Sequence, residues 1–146
     1  MLCLIQKQLT PTQKFNELLK ISSDIDRALF CPEPQIHNLN IPVFPIVNLW
    51  GQWNNCVLYT SFEEAIYVKN LFTNHTKIFY LYDLDWHINS MNYKFTLECM
   101  LSADIFLARS SYHADKIEEY CGRRPQLITE INLKEIVNGN TTVESK

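Results

Sequence analysis

The chain has 146 residues, of which 47% are hydrophobic, 20% charged and 12% aromatic, and 13 basic against 16 acidic side chains leave a net charge of −3. That length suits one compact domain burying roughly 68–70% of its unfolded surface, and the wealth of aliphatic and aromatic residues excludes a solvated coil for most of it. The acidic balance argues against a broad electrostatic grip on nucleic acid, and three glycines are too few for a phosphate-cradling loop, which needs two or three close together.

The first residues, Met1-Leu2-Cys3-Leu4-Ile5, are apolar but too short for a signal peptide, and Gln6-Lys7-Gln8 interrupts them. No run approaches the ~20 apolar residues of a membrane helix. Thr10-Pro11 is a capping hydroxyl followed by a first-turn proline, and Phe15, Leu18, Leu19 and Ile25 recur at helical spacing. A helix over about residues 11–22 follows. Arg27 to Cys31 reads as a short buried strand, stopped by Pro32 and Pro34. Ile41 to Leu49 is apolar but holds Pro42 and Pro45, which suits an edge strand. A loop from Trp50 to Asn55 leads to a strand at Cys56–Thr60.

Ser61-Phe62-Glu63-Glu64 then has the capping-box spacing. The helix after it is expected to bury Phe62, Ala65, Ile66, Lys69 and Phe72 on one face and to end near Thr73-Asn74. Lys77 to Tyr82 is strongly β-prone, and a helix over about residues 91–101 leads to a strand at Asp104–Ala108. Ser110 or Ser111 caps another helix that carries Ala114, Ile117 and Cys121 and stops at Gly122. Gln126 to Thr129 is a last short strand, and residues 139–146 read as a flexible tail. Strands alternating with helices of ten or so residues imply an α/β fold. It is a three-layer Rossmann-like domain with a mainly parallel sheet of about five or six strands, spanning residues 1–138 with the N-terminal helical segment included.

Five scattered cysteines without a C-x-x-C pair fit reduced thiols in a cytoplasmic protein and argue against zinc, whose ligands come in close pairs. No G-x-S-x-G elbow, H-E-x-x-H pair or P-loop is present, which removes the usual hydrolase, zincin and NTPase readings.

In parallel sheets ligands sit beyond the carboxyl ends of the strands, and that rule selects the candidate residues. Trp50 and Trp53 lie in a polar loop, where they either stack on a ligand or fold back over the sheet. Thr60-Ser61 opens a helix whose free amides favour an anion or a hydroxyl-rich ligand, yet Glu63 and Glu64 would repel a phosphate, so plain capping is the simpler reading. Asp83-Leu84-Asp85-Trp86-His87 offers a general base, an oriented imidazole or sugar-binding hydroxyl acceptors. A divalent cation or plain solvated charge are the other readings there. Arg109 precedes a helix N-terminus with Ser110 and, one turn in, His113; it either meets an anion or hydroxyl, or pairs with Asp83 or Asp85. Arg123-Arg124 reads as a solvated corner.

Residues 40–53 (NIPVFPIVNLWGQW) and Leu58 to Ala65, followed by Tyr80 to Trp86 and Leu107 to Ala114, resemble in the same order the amino-terminal lobe of phage-type GT-B glycosyltransferases. The resemblance covers about residues 40–131. GT-B enzymes have two Rossmann-like lobes around a cleft; the first mainly receives the acceptor and the second holds the sugar nucleotide. The resemblance implies that Asp83 or Asp85 is the base for an acceptor hydroxyl. Trp50, Trp53, Trp86 and His87 would shape the acceptor side, and Ser61, Arg109, Ser110 and His113 would face the cleft. It implies DNA as a possible acceptor and a host-cell cytoplasmic setting. The second-lobe donor site has no counterpart in this sequence, so no metal or cofactor is expected on this chain. A sugar nucleotide enters only through a donor-binding subunit. The alternative is a non-catalytic module on the same fold that binds another protein.

Overall fold

The computed structural model describes residues 1–7, 9, 12–34, 39–51, 55–69, 75–84, 86 and 92–139, with the backbone alone for Trp50 and Gly51. Among the described residues seven strands form one sheet: β1 (Leu2–Ile5), β2 (Arg27–Cys31), β3 (Val43–Pro45), β4 (Cys56–Tyr59), β5 (Thr76–Leu81), β6 (Ile105–Ala108) and β7 (Gln126–Leu127). Every pairing is parallel, and the spatial order is β3-β2-β1-β4-β5-β6-β7. The helices are α1 (Gln13–Ile21), α2 (Phe62–Lys69), α3 (Tyr93–Ser102), α4 (Ser111–Cys121) and α5 (Leu133–Val137), with 3₁₀ turns at Ile46–Gly51 and Ile128–Glu130.

Alternate strand residues feed two separate cores, as the period of two requires. Cys3, Phe30, Val57, Phe79 and Phe106 pack with Phe62, Ala65 and Val68 of α2, Met100 of α3 and Ala114 and Ile117 of α4. Leu4, Leu29, Leu58, Ile78 and Leu107 pack with Phe15 and Leu18 of α1 and Leu133 of α5. The result is a three-layer α/β sandwich of Rossmann-like form. Because the inner strands are covered on both faces, they read as continuous apolar runs rather than alternating ones.

The sheet has seven strands rather than five or six. The additional one is β1, whose four residues are all fully buried. So short an apolar run at the chain start carries no alternation and no turn signal, the two marks by which strands are read from sequence. It is nonetheless central, pairing Leu4 with Leu29 on one side and with Leu58 on the other. β3 is an edge strand, as its prolines require, and pairs with β2 alone.

Caps place the helices. Thr12, not Thr10, caps α1 by accepting from the Phe15 amide; Thr10 and Pro11 lie outside the described residues. Asn92, Ser110 and Asn132 cap α3, α4 and α5 in the same way. Gly122 ends α4 in the left-handed region at φ 77°, a conformation that glycine adopts without the steric penalty of a Cβ. The buried side of α2 is Phe62, Glu64, Ala65 and Val68, while Ile66 is 52% exposed; Phe72 lies outside the described residues. All five cysteines are free thiols. Among the described residues no helix is long and apolar enough to cross a membrane.

Candidate functional site

The carboxyl ends of β5 and β6 are adjacent, and their registers match Leu81 with Ala108. The residues that follow, Tyr82-Asp83 and Arg109-Ser110, therefore emerge side by side. Arg109 lays its guanidinium over the Tyr82 ring, 4.4 Å from its centroid, an arrangement that uses the electron-rich face of the phenol. One of its nitrogens, Nη2, lies 3.1 Å from His113 Nε2, and His113 Nδ1 lies 2.7 Å from Ser110 Oγ. The Tyr82 ring is 3% exposed, and its hydroxyl has no hydrogen-bond partner among the described residues.

The protonation pattern follows from the donors. A guanidinium only donates, so His113 Nε2 must accept and Nδ1 must carry the ring hydrogen. Nδ1–H then donates to Ser110 Oγ, which also accepts from the His113 amide at 3.4 Å as the cap of α4. Burial, then the Arg109 charge, hold the His113 pKa below its usual value, while the Asp83 carboxylate pulls it the other way. This tautomer is the wrong one for a Ser–His nucleophile, since His113 cannot take the Ser110 proton through Nδ1. The chemical inventory of the corner is an oriented cation, a serine hydroxyl with its own hydrogen left to donate, and the charge of the Asp83 carboxylate.

Arg109 forms no ion pair among the described residues. The rim pairing with Asp83 considered from sequence is replaced by stacking and the His113 contact. Asp83 accepts through its backbone carbonyl from Trp86 Nε1 at 2.8 Å. Trp86 itself is 7% exposed and packs edge-on against Phe62 and Tyr120, so its indole belongs to the core and lines no open acceptor face. The same indole fixes the backbone that carries Asp83.

Ser61 lies elsewhere. It caps α2 by accepting from the Glu64 amide at 3.3 Å, at the end of β4, two strand spacings or about 10 Å from β6. The turn that begins the tryptophan loop follows β3, five spacings or about 24 Å from β6. The sheet order thus separates the backbone of Trp50 from the Arg109 corner. Trp53, Asp85 and His87 lie outside the described residues.

The capping box at α2 departs from its expected form. Glu64 does not reach back to the Ser61 amide. Its Oε2 accepts from the Thr60 amide at 2.9 Å and the Thr60 hydroxyl at 3.1 Å, and its Oε1 accepts from the Lys7 amide at 3.3 Å. The carboxyl is 3% exposed, and burial pushes its pKa up against the pull of those donors and of Lys14. Gln6 completes the cluster through Nε2, which donates to the Ile5 carbonyl at 2.8 Å and reaches Thr60 Oγ1 at 3.5 Å. Gln6 and Lys7 carry no sequence signal of a site, because the strand they follow, β1, carries none. Tyr82 was legible only as the last residue of a strand.

Arg123 and Arg124 both have structural work. Arg123 Nη1 donates to the carbonyls of Met100, Leu101 and Ala103, and Arg124 pairs with Asp115 and Glu118. Among the described residues no group of three histidine, cysteine or carboxylate side chains could hold a metal ion. Compared with known proteins, the chain matches no family model, no curated protein and no solved structure.

Proposed function

We propose that this chain is the acceptor-side lobe of a GT-B-like glycosyltransferase, receiving a hydroxyl acceptor and working with a separate donor-binding polypeptide. The supporting observation is the contact of Arg109, Ser110 and His113 where β5 and β6 end, with the Asp83 carboxylate acting on His113 through its charge. In this reading Asp83 takes the proton of the acceptor hydroxyl as its oxygen bonds to the sugar's anomeric carbon. The bond from that carbon to the nucleoside diphosphate breaks, and the diphosphate leaves with the donor-binding polypeptide. Arg109, held by Tyr82 and His113, orients acceptor oxygens, and the Ser110 hydroxyl donates to them. A hydroxylated base of phage DNA is the proposed acceptor. With a net charge of −3, this chain would leave most of the phosphate backbone to its partner.

The test mixes the purified chain with a candidate donor-binding polypeptide and measures sugar-nucleotide turnover with and without hydroxylated DNA. Turnover that requires both chains and falls 10²- to 10⁴-fold in Asp83→Asn, the usual worth of a general base, is the expected result. Absence of both complex and turnover overturns the proposal.

One observation favours a second reading, a protein-binding module without chemistry. The layer formed by α2, α3 and α4 exposes Ile66, Tyr93, Leu101 and Tyr112, each more than half exposed, and exposed apolar side chains of this size suit contact with a partner. Under this reading a purified partner binds wild type and Asp83→Asn equally, and Tyr112→Ala weakens it.

A further inference from the structure

β1 and β4 are neighbours in the sheet although α1, β2 and β3 separate them in the chain. From this pair the strand order runs in opposite directions, with α1 covering one face and α2 the other. A crevice opens outside such a reversal, and the loop after the first strand together with the next helix N-terminus supplies amide donors for phosphate. In this chain the donors are of the loop kind and follow both strands. The Lys7 amide follows β1, and the Thr60 amide and hydroxyl follow β4.

All three donors converge on one carboxylate from α2's own first turn, Glu64, at 2.9, 3.1 and 3.3 Å. A capping box satisfies donors of its own helix, whereas Glu64 bridges to an amide 57 residues away in sequence. Gln6 backs the Thr60 hydroxyl, and Lys7 Nζ pairs outward with Glu63 at 2.8 Å, so the lysine head is turned away from the carboxylate its amide holds. We infer that the crevice between β1 and β4 is an anion cradle the chain fills with its own Glu64 side chain. It is closed to phosphate ligands in the native protein and takes a small carboxylate, formate or acetate, once that side chain is removed.

The closure carries a consequence for the sheet as a whole. A phosphate-bearing ligand is refused where this strand order would otherwise receive one, whatever the chain does at the Arg109 corner. Glu64→Ala leaves two amides and a hydroxyl facing a space the size of a carboxymethyl group, and a free carboxylate restores the lost acceptors.

The experiment measures the melting temperature of Glu64→Ala and wild type in formate, acetate or chloride at matched ionic strength. Formate and acetate raise the variant's melting temperature saturably, chloride does not, and wild type shows no difference among the three. Coincident formate and chloride curves for the variant, or an equal carboxylate response in wild type, overturn the inference. If Glu64→Ala does not fold, the amide proton signals of Lys7 and Thr60 in wild type and Glu64→Gln decide. In wild type both titrate together with one carboxyl group, and in Glu64→Gln that shared titration is gone. A Lys7 amide indifferent to pH and to the substitution overturns the inference, as does a shift of either wild-type amide on adding inorganic phosphate. The glycosyltransferase reading survives or fails separately, because neither readout involves turnover or the Arg109 corner.

Discussion

His113 shows how a single donor constraint decides what a residue can do. Two partners hold the ring, and one of them is a cation that can only donate, so the neutral imidazole is the form that fits. Its folded-state pKa is lowered from 6.5, by burial first and by Arg109 second. The folded state therefore binds fewer protons there than the unfolded chain, and stability rises with pH through this group. Its contribution is fully present above the ordinary histidine value and is lost as pH falls through the lowered one. Comparing wild type with His113→Gln isolates this group from the other titrating side chains. The stability advantage of wild type over the variant is expected to shrink as the buffer goes from pH 7.5 to 5.5. A ring titration followed by NMR should have its midpoint below 6.5. A midpoint above 6.5 would mean that Asp83 outweighs Arg109 and that the imidazolium is the working form.

At the scale of elements, the helices explain both what was readable and what was not. Ser110 or Ser111 and Gly122 mark the two ends of α4 in the sequence, and the structure puts the cap at Ser110 and the left-handed glycine at Gly122. Pro42 and Pro45 marked β3 as an edge, since a proline cannot donate to a neighbouring strand. The buried face of α2 could not be read from apolar spacing, because an inward position is taken by Glu64, whose donors come from other segments. The meeting of Arg109 with Tyr82 was equally hidden, since it depends on which strands lie side by side. α3 presents a similar case at its end. It has no basic residue in its last turn, and its C-cap, Ala103, is extended at φ −66° and ψ 135°. Arg123, from beyond α4, supplies the missing donors to Met100, Leu101 and Ala103 at 3.0, 3.4 and 2.8 Å and covers the Phe106 ring. Arg123→Ala should cost about 1–3 kcal/mol by urea denaturation, the range for stranded acceptors and a charged donor. Arg123→Lys should recover less than half of that loss, because an ammonium cannot lie as a flat group over the Phe106 ring while its nitrogen serves the carbonyls. Full recovery by lysine would show that charge near the helix end, not the planar guanidinium, is what matters.

For the molecule as a whole, strand order sets where stability is concentrated. β1 is four residues long, yet it joins the β3-β2 half of the sheet to the half made of β4, β5, β6 and β7, and it feeds the cores on both faces. Leu4 lies in its middle, fully buried, matched to Leu29 and Leu58 on the same face and part of one core with Phe15 and Leu18. Val43, on β3, belongs to the same core but sits at its margin on an edge strand. Both substitutions to alanine remove only apolar atoms, so the difference between them measures position in the sheet. Leu4→Ala should cost about 2–5 kcal/mol, the range for a buried leucine whose surroundings cannot close the gap. That is a large part of the 5–15 kcal/mol typical of a whole domain. Val43→Ala should cost about 1 kcal/mol. Hydrogen exchange should follow the same gradient, with amides of β1, β4 and β5 opening only by global unfolding and those of β3 and β7 by local fraying. If Leu4→Ala and Val43→Ala shift the urea midpoint equally, or if β1 amides exchange as fast as those of β3, then β1 is not the strand that binds the two halves together.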